Sequence, residues 1–152
     1  MKSILVLHGP NLNLLGLREP EVYGNDSLRS IHEELSEFFT AHSVQVEFFQ
    51  SNHEGNLIDK IQESILNTEI VRHGILINPG GFTHTSVALR DALLAVRVPF
   101  VEVHMSNIYA REPFRHHSYL SDIAIGQVVG FGKHSYLLGA DALIRYILSN
   151  HS

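Results

Sequence analysis

Apolar positions along this chain fall into short continuous runs separated by longer stretches with helical spacing. The runs at 4–7, 44–49, 74–78, 100–104 and 123–129 read as β-strands, 4–7 as a buried one because it is continuously apolar and 44–49 because it is rich in β-formers. Between them, Leu28, Ile31, Leu35, Phe38 and Phe39 predict a helix over 28–42, with Asp26 or Ser27 as its cap. Leu57, Ile58, Ile61 and Ile65 share one stripe of a helix over 57–66, and further helices are predicted over 85–96 and 136–148. Strands that alternate with helices imply an α/β protein built on a parallel sheet. Five such units predict a flavodoxin-like, doubly wound five-stranded parallel sheet of order 2-1-3-4-5, in a single domain spanning 1–152. One interval resists this rhythm: 105–121 is a long connection holding two arginines and two histidines, and long connections in compact domains tend to be functional.

Composition narrows the chemistry. The 152 residues include no cysteine, which excludes disulfides, thiolate nucleophiles and cysteine-held metals. A net charge of -5 is the wrong sign for an electrostatic nucleic-acid binder. The first apolar run is broken at His8-Gly9-Pro10, too early for a signal peptide or a membrane span, so a cytoplasmic protein with no membrane partner is expected. The only lysines are Lys2, Lys60 and Lys133.

In doubly wound sheets ligands bind beyond the carboxyl ends of the strands. Strand one is followed by His8-Gly9-Pro10-Asn11-Leu12-Asn13, then Arg18-Glu19-Pro20 and Tyr23-Gly24. Strand three is followed by Asn78-Pro79-Gly80-Gly81-Phe82-Thr83-His84-Thr85-Ser86, where two glycines ahead of a helix start could cradle an anion. Strand four carries Glu102, ends in His104-Met105-Ser106-Asn107, and leads to Arg111 and Arg115. Glu102 and His104 lie two apart on one strand and so share a face; a carboxylate buried there needs a partner, which His104, Arg111 or Arg115 could supply. His116 and His117 read as a solvated face, Tyr109, Tyr119, Tyr136 and Tyr146 as packing, and 51–56 as an ordinary polar loop. No dinucleotide fingerprint, P-loop, nucleophile elbow or metal-ligand spacing is present, so no cofactor and no metal are expected. None of the lysines falls in these strand-end segments, which leaves a Schiff-base route without a residue to run on.

At these residues the chain resembles the type II 3-dehydroquinate dehydratases. Three long motifs carry the resemblance: Gly9-Pro10-Asn11-Leu12-Asn13-Leu14-Leu15-Gly16 with Arg18-Glu19-Pro20 and Tyr23-Gly24; Asn78 to Ser86 with Leu89-Arg90-Asp91-Ala92; and Glu102-Val103-His104-Met105-Ser106-Asn107 with Ala110-Arg111-Glu112, Phe114-Arg115 and Ser118-Tyr119. The resemblance implies a lyase of the shikimate pathway, and so of chorismate and aromatic amino acid biosynthesis, that turns 3-dehydroquinate into 3-dehydroshikimate by anti elimination of water. It implies that Tyr23, as a tyrosinate favoured by Arg18, takes a proton from C2, and that His104, oriented by Glu102, protonates the departing C1 hydroxyl. Asn11 would hold a water at the enolate oxygen. Asn78, His84, Ser106 with the Met105 backbone, and Arg115 would bind substrate, and Arg111 would support the site. Asp91 would reach in from a neighbouring subunit, since the implied assembly is a homododecamer, a tetramer of trimers. The rival class, a flavodoxin-like module for a nucleotide or flavin, would need a phosphate loop or an aromatic sandwich, and neither stands out.

Overall fold

The computed structural model describes residues 1–17 and 26–149. Strands β1 (Lys2–His8), β2 (Val44–Gln50), β3 (Gly74–Asn78), β4 (Phe100–His104) and β5 (Gly126–Val129) form one parallel sheet in the order β2-β1-β3-β4-β5. Helices α1 (Leu28–Ala41), α2 (Glu54–Leu66), α3 (Val87–Val96) and α4 (His134–Ser149) cover it. The flavodoxin-like order expected from the sequence is therefore the order observed.

Alternation along the strands divides the interior into two layers. Ile4 and Val6 of β1, Leu76 of β3, and Val101 and Val103 of β4 pack with Ile31, Leu35 and Phe39 of α1 and with Tyr136, Leu143 and Ile147 of α4. Leu5 and Leu7, Ile75 and Ile77, and Phe100 face the other way, against Leu57 and Ile61 of α2 and Leu89 and Leu93 of α3. The same parity decides where the polar strand ends go. His8 and Asn78 extend the α1/α4 face, whereas Glu102 and His104 extend the face of Phe100.

Several boundaries differ from the apolar pattern, for local reasons. Helix α1 is capped by Ser27, whose hydroxyl accepts from the Ser30 N–H while Ser30 reciprocates. Helix α2 opens at Glu54, three residues before its first buried leucine, because an acidic residue in the first turn suits the helix dipole. Helix α3 opens only at Val87, since Gly80–His84 forms a 3-10 turn and Ser86 takes the Leu89 N–H as a cap. Gly80-Gly81, expected to cradle an anion at that helix start, therefore lie in the turn before it, where Gly80 N–H is spent on Asn78 Oδ1 and both glycines line the cavity described below. Strand β5 is shorter than 123–129, because the chain turns between Leu120 and Ala124 before pairing with β4. No helix of the described residues is long and apolar enough to cross a membrane.

Candidate active site

The carboxyl ends of β1, β3 and β4 enclose a cavity of about 150 Å³, lined by Asn11, Asn78, His84, His104, Met105, Ser106, Arg111 and Arg115 among others. Larger hollows open elsewhere: one of about 810 Å³ runs along Val44–Glu47 and Arg72, one of about 500 Å³ lies beneath Pro99 and Ile147, and one of about 490 Å³ is lined by Arg90, Tyr109 and Asp122. We place the site at the smallest of the four, because only there do several strand ends present convergent polar groups.

Glu102 and His104 dominate it. Glu102 is fully buried at the middle of β4, and His104 Nε2 lies 2.5 Å from its Oε2. Thr83 donates to the same oxygen at 2.7 Å and Gln127 Nε2 at 3.0 Å, while Ser121 donates to Oε1 at 2.8 Å. Ser118 sits 2.9 and 3.0 Å from the two oxygens. Burial pushes this carboxyl up, but hydrogen bonding and charge from His104, with the Thr83 and Gln127 bonds, outweigh it and hold it down at about 2. Every neighbour donates, so the group is a carboxylate. With Nε2 occupied by Glu102, Nδ1 is the nitrogen of His104 left to serve the cavity.

The other predicted residues gather around this pair. Asn11 sits in the left-handed region at φ 70°, a conformation asparagine tolerates, and its N–H donates to Asn52 Oδ1 at 2.9 Å. Through Asn52 the segment after β2, expected to be an ordinary loop, buttresses the first motif, and Gln50 Nε2 at the end of β2 holds the Gly9 carbonyl at 3.1 Å. Gly9 is required there: a Cβ would fall 2.2 Å from the Pro79 carbonyl oxygen, where the loops after β1 and β3 meet. His84 Nδ1 is held by the His117 carbonyl at 2.8 Å, and its ring is stacked 6.2 Å from that of His104. Burial keeps the His84 imidazole below its ordinary value, only partly offset by that carbonyl.

The long connection folds into two short 3-10 turns, Ile108–Ala110 and Pro113–Arg115, that bring both arginines to the rim. Arg111 Nη1 donates to Ser106 Oγ at 3.3 Å, and Arg115 Nε donates to Glu112 Oε1 at 3.0 Å. His116 and His117 are exposed, as expected. Asp91 is exposed on α3 and does not line the cavity of its own chain. Tyr23 and Arg18 lie outside the described residues.

Two sets of side chains escape a reading by sequence. Thr83 and Ser118 fall within the motifs but, being neutral, carry no sign of their partner, and Ser121 and Gln127 belong to no motif at all. Tyr136, expected to pack only, is fully buried but spends its hydroxyl on His8 Nδ1, at 2.8 Å, and on Asn78 Nδ2, at 2.9 Å. The signal for the latter was strand parity: His8 follows Ile4 and Val6 on an interior face and needs a polar partner there. Among the described residues no three His, Cys, Asp or Glu side chains converge as metal ligands, and no lysine lines the cavity. Lys60 is paired with Glu47 and Glu63, and Lys133 with Asp26 and Glu34.

Comparison with known proteins points to one family. The family model described as Dehydroquinase class II matches residues 2–144. A 3-dehydroquinate dehydratase of Acaryochloris marina is 57% identical over 145 residues, 95% of this chain and 95% of that protein. One from Prochlorococcus marinus is 52% identical over 147 residues, 97% of each. Among solved structures, the type II dehydroquinase of Butyrivibrio crossotus superposes with a TM-score of 0.88 at 45% identity, covering 94% of this chain and 97% of that one. That of Propionibacterium acnes gives 0.86 at 36% identity, covering 98% of each.

Proposed function

This chain belongs to the class II dehydroquinases, and from that membership we propose how its own residues remove water from 3-dehydroquinate. The reaction makes it a hydro-lyase: a C2–H bond and the C1–OH bond break, and a C1–C2 double bond conjugated to the ketone forms. Tyr23 is the base. A free phenol has a pKa of about 10, and the guanidinium of Arg18, which cannot give up its own proton, lowers it by charge. The electron pair left at C2 delocalises into the ketone as an enolate, whose oxygen meets a water held by Asn11. Collapse of the enolate expels the C1 hydroxyl, which leaves as water after taking the Nδ1 proton of His104. Glu102 keeps Nε2–H engaged throughout.

Asn78, His84, Ser106, the Met105 backbone and Arg115 bind the substrate's hydroxyls and carboxylate, with Arg111 in support. Asp91, exposed on its own chain, completes a neighbour's site within a dodecamer built as a tetramer of trimers. No metal or organic cofactor enters this scheme, and the cytoplasm is its place of action, which cell fractionation checks. The observation that carries the reading is the buried Glu102–His104 pair, 2.5 Å apart, opening on a cavity with Asn78, His84 and Arg115. A flavin or nucleotide module would need a phosphate loop or a pair of flat aromatic walls, and the described lining offers neither.

The test is the rise of enone absorbance in the ultraviolet when 3-dehydroquinate is added. Tyr23→Phe should nearly abolish it, by about 10³-fold or more in kcat, while product still binds; near-normal turnover would remove Tyr23 from the role of base. Light scattering reads the assembly: a particle near the mass of one 17.1 kDa chain would contradict the contribution of Asp91 across subunits.

A further inference from the structure

A second line of hydrogen bonds runs along the α1/α4 face of the sheet and ends on Asn78. Its polarity can be worked out from one fixed donor. The Gly80 N–H can only donate, and it meets Asn78 Oδ1 at 3.1 Å, so Asn78 turns Nδ2 toward Tyr136, 2.9 Å away. The Tyr136 oxygen therefore accepts from Asn78, and its own proton goes to His8 Nδ1 at 2.8 Å. His8 then carries its hydrogen on Nε2 and gives it to His32 Nε2 at 2.9 Å, which places the hydrogen of His32 on Nδ1. His8 and Tyr136 are completely buried, and Asn78 is 3% exposed. His32, on α1, is itself pinned by stacking on Phe48, ring centres 4.0 Å apart.

We propose that Tyr136 and His8 are positioning residues for substrate binding: they lock the Asn78 amide so that Nδ2, with one hydrogen spent on Tyr136, offers its second as a donor in the cavity. The proposal rests on the reading of Asn78 as a substrate contact. A flipped amide would set Nδ2 against the Gly80 N–H, donor to donor, and the hydrogen-bonded imidazoles behind Tyr136 hold that alternative off. Both rings must be neutral for the chain to run in this sense. Burial, aided by the charge of His32, pushes His8 down to about 3, and burial also lowers His32.

Steady-state kinetics on 3-dehydroquinate separate the two ideas. Asn78→Ala should raise KM, and Tyr136→Phe, which keeps the ring and removes the hydroxyl, should raise KM about 10-fold with kcat within about 3-fold. In the Asn78→Ala background, Tyr136→Phe should change KM no further, because its effect passes through Asn78. An unchanged KM in Asn78→Ala overturns the substrate contact, and the positioning role with it. A raised KM there, beside a normal KM in Tyr136→Phe or multiplying effects in the double variant, overturns the positioning role alone. Should Tyr136→Phe fail to fold, the wild-type protein decides. Nitrogen-15 spectra of histidine-labelled enzyme should show His8 protonated on Nε2 and His32 on Nδ1, and the reverse tautomers would overturn the assignment.

Discussion

Glu102 illustrates how a buried charge is kept at the candidate active site. Thr83, Ser118, Ser121, Gln127 and His104 all point donors at its two oxygens, so the carboxylate gives up water without losing hydrogen bonds. The arrangement is also directional. Ser121 accepts from Gln127 Nε2 at 2.8 Å and so must donate to Glu102, while Ser118 accepts the N–H groups of Leu120 and Ser121. No neighbour is left to accept a proton from Glu102, which makes the carboxylate a fixed partner for His104 and a poor store of protons. Glu102→Gln tests this. Whichever way the amide turns, its NH2 faces donors, and His104 Nε2 loses its anionic partner. We expect kcat to fall about 10²-fold with KM changed less, and stability to fall by about 1–3 kcal/mol. Enone kinetics and thermal melting read the two effects, and near-normal kcat in a folded variant would count against the pairing.

At the scale of elements, what the sequence makes legible is what burial imposes. Strands β1, β3 and β4 are covered on both faces, and their apolar runs announce them; β5 is only half buried, and its predicted start overshoots into a turn. Helix interiors follow from periodicity, whereas the starts of α2 and α3 depend on Glu54 and on the Ser86 cap, which periodicity does not see. The site divides in the same way. Glu102 and His104 are readable because a separation of two on a strand puts them on one face. The residues that serve them are not, since Thr83, the Ser118–Ser121 segment and Gln127 come from three places in the chain and have ordinary chemistry. Gly139 is silent for another reason: its significance is the absence of a side chain. A Cβ there would lie 2.6 Å from Val103 Cγ2 and 2.9 Å from Leu76 Cδ1, so this glycine lets α4 settle against β3 and β4 and sets Tyr136, one turn earlier, beside Asn78.

Taken as a whole, the molecule runs one polar line along each face of its sheet, and the two titrate with the same sign. On one face, His8 is held neutral down to about pH 3, against an ordinary imidazole value of 6.5. Between those values the unfolded chain binds a proton that the folded chain refuses, so stability falls as pH falls, by up to about 1.4 kcal/mol per pH unit. On the other face, Glu102 stays ionised down to about 2, against an ordinary 4.5. Its contribution is complete above 4.5 and is lost as pH drops toward 2. Acid should therefore weaken the fold in two stages, first from about pH 6.5 as His8 is refused its proton, then more steeply below about 4.5, where Glu102 joins it. His32, His73 and His84, all lowered by burial, add to the first stage. Removing one titrating group separates the stages. In His8→Gln the amide oxygen can still accept from Tyr136, but nothing at that position protonates. Its unfolding free energy, measured against wild type at one protein concentration across pH 7.5 to 3.5, should converge on wild type as pH falls from 6.5. The steeper segment below 4.5, to which Glu102 contributes together with Glu47, Glu63, Glu112 and Asp122, all held below their ordinary values, should persist in both. Parallel profiles across the whole range would mean that His8 is not the group held neutral inside the fold.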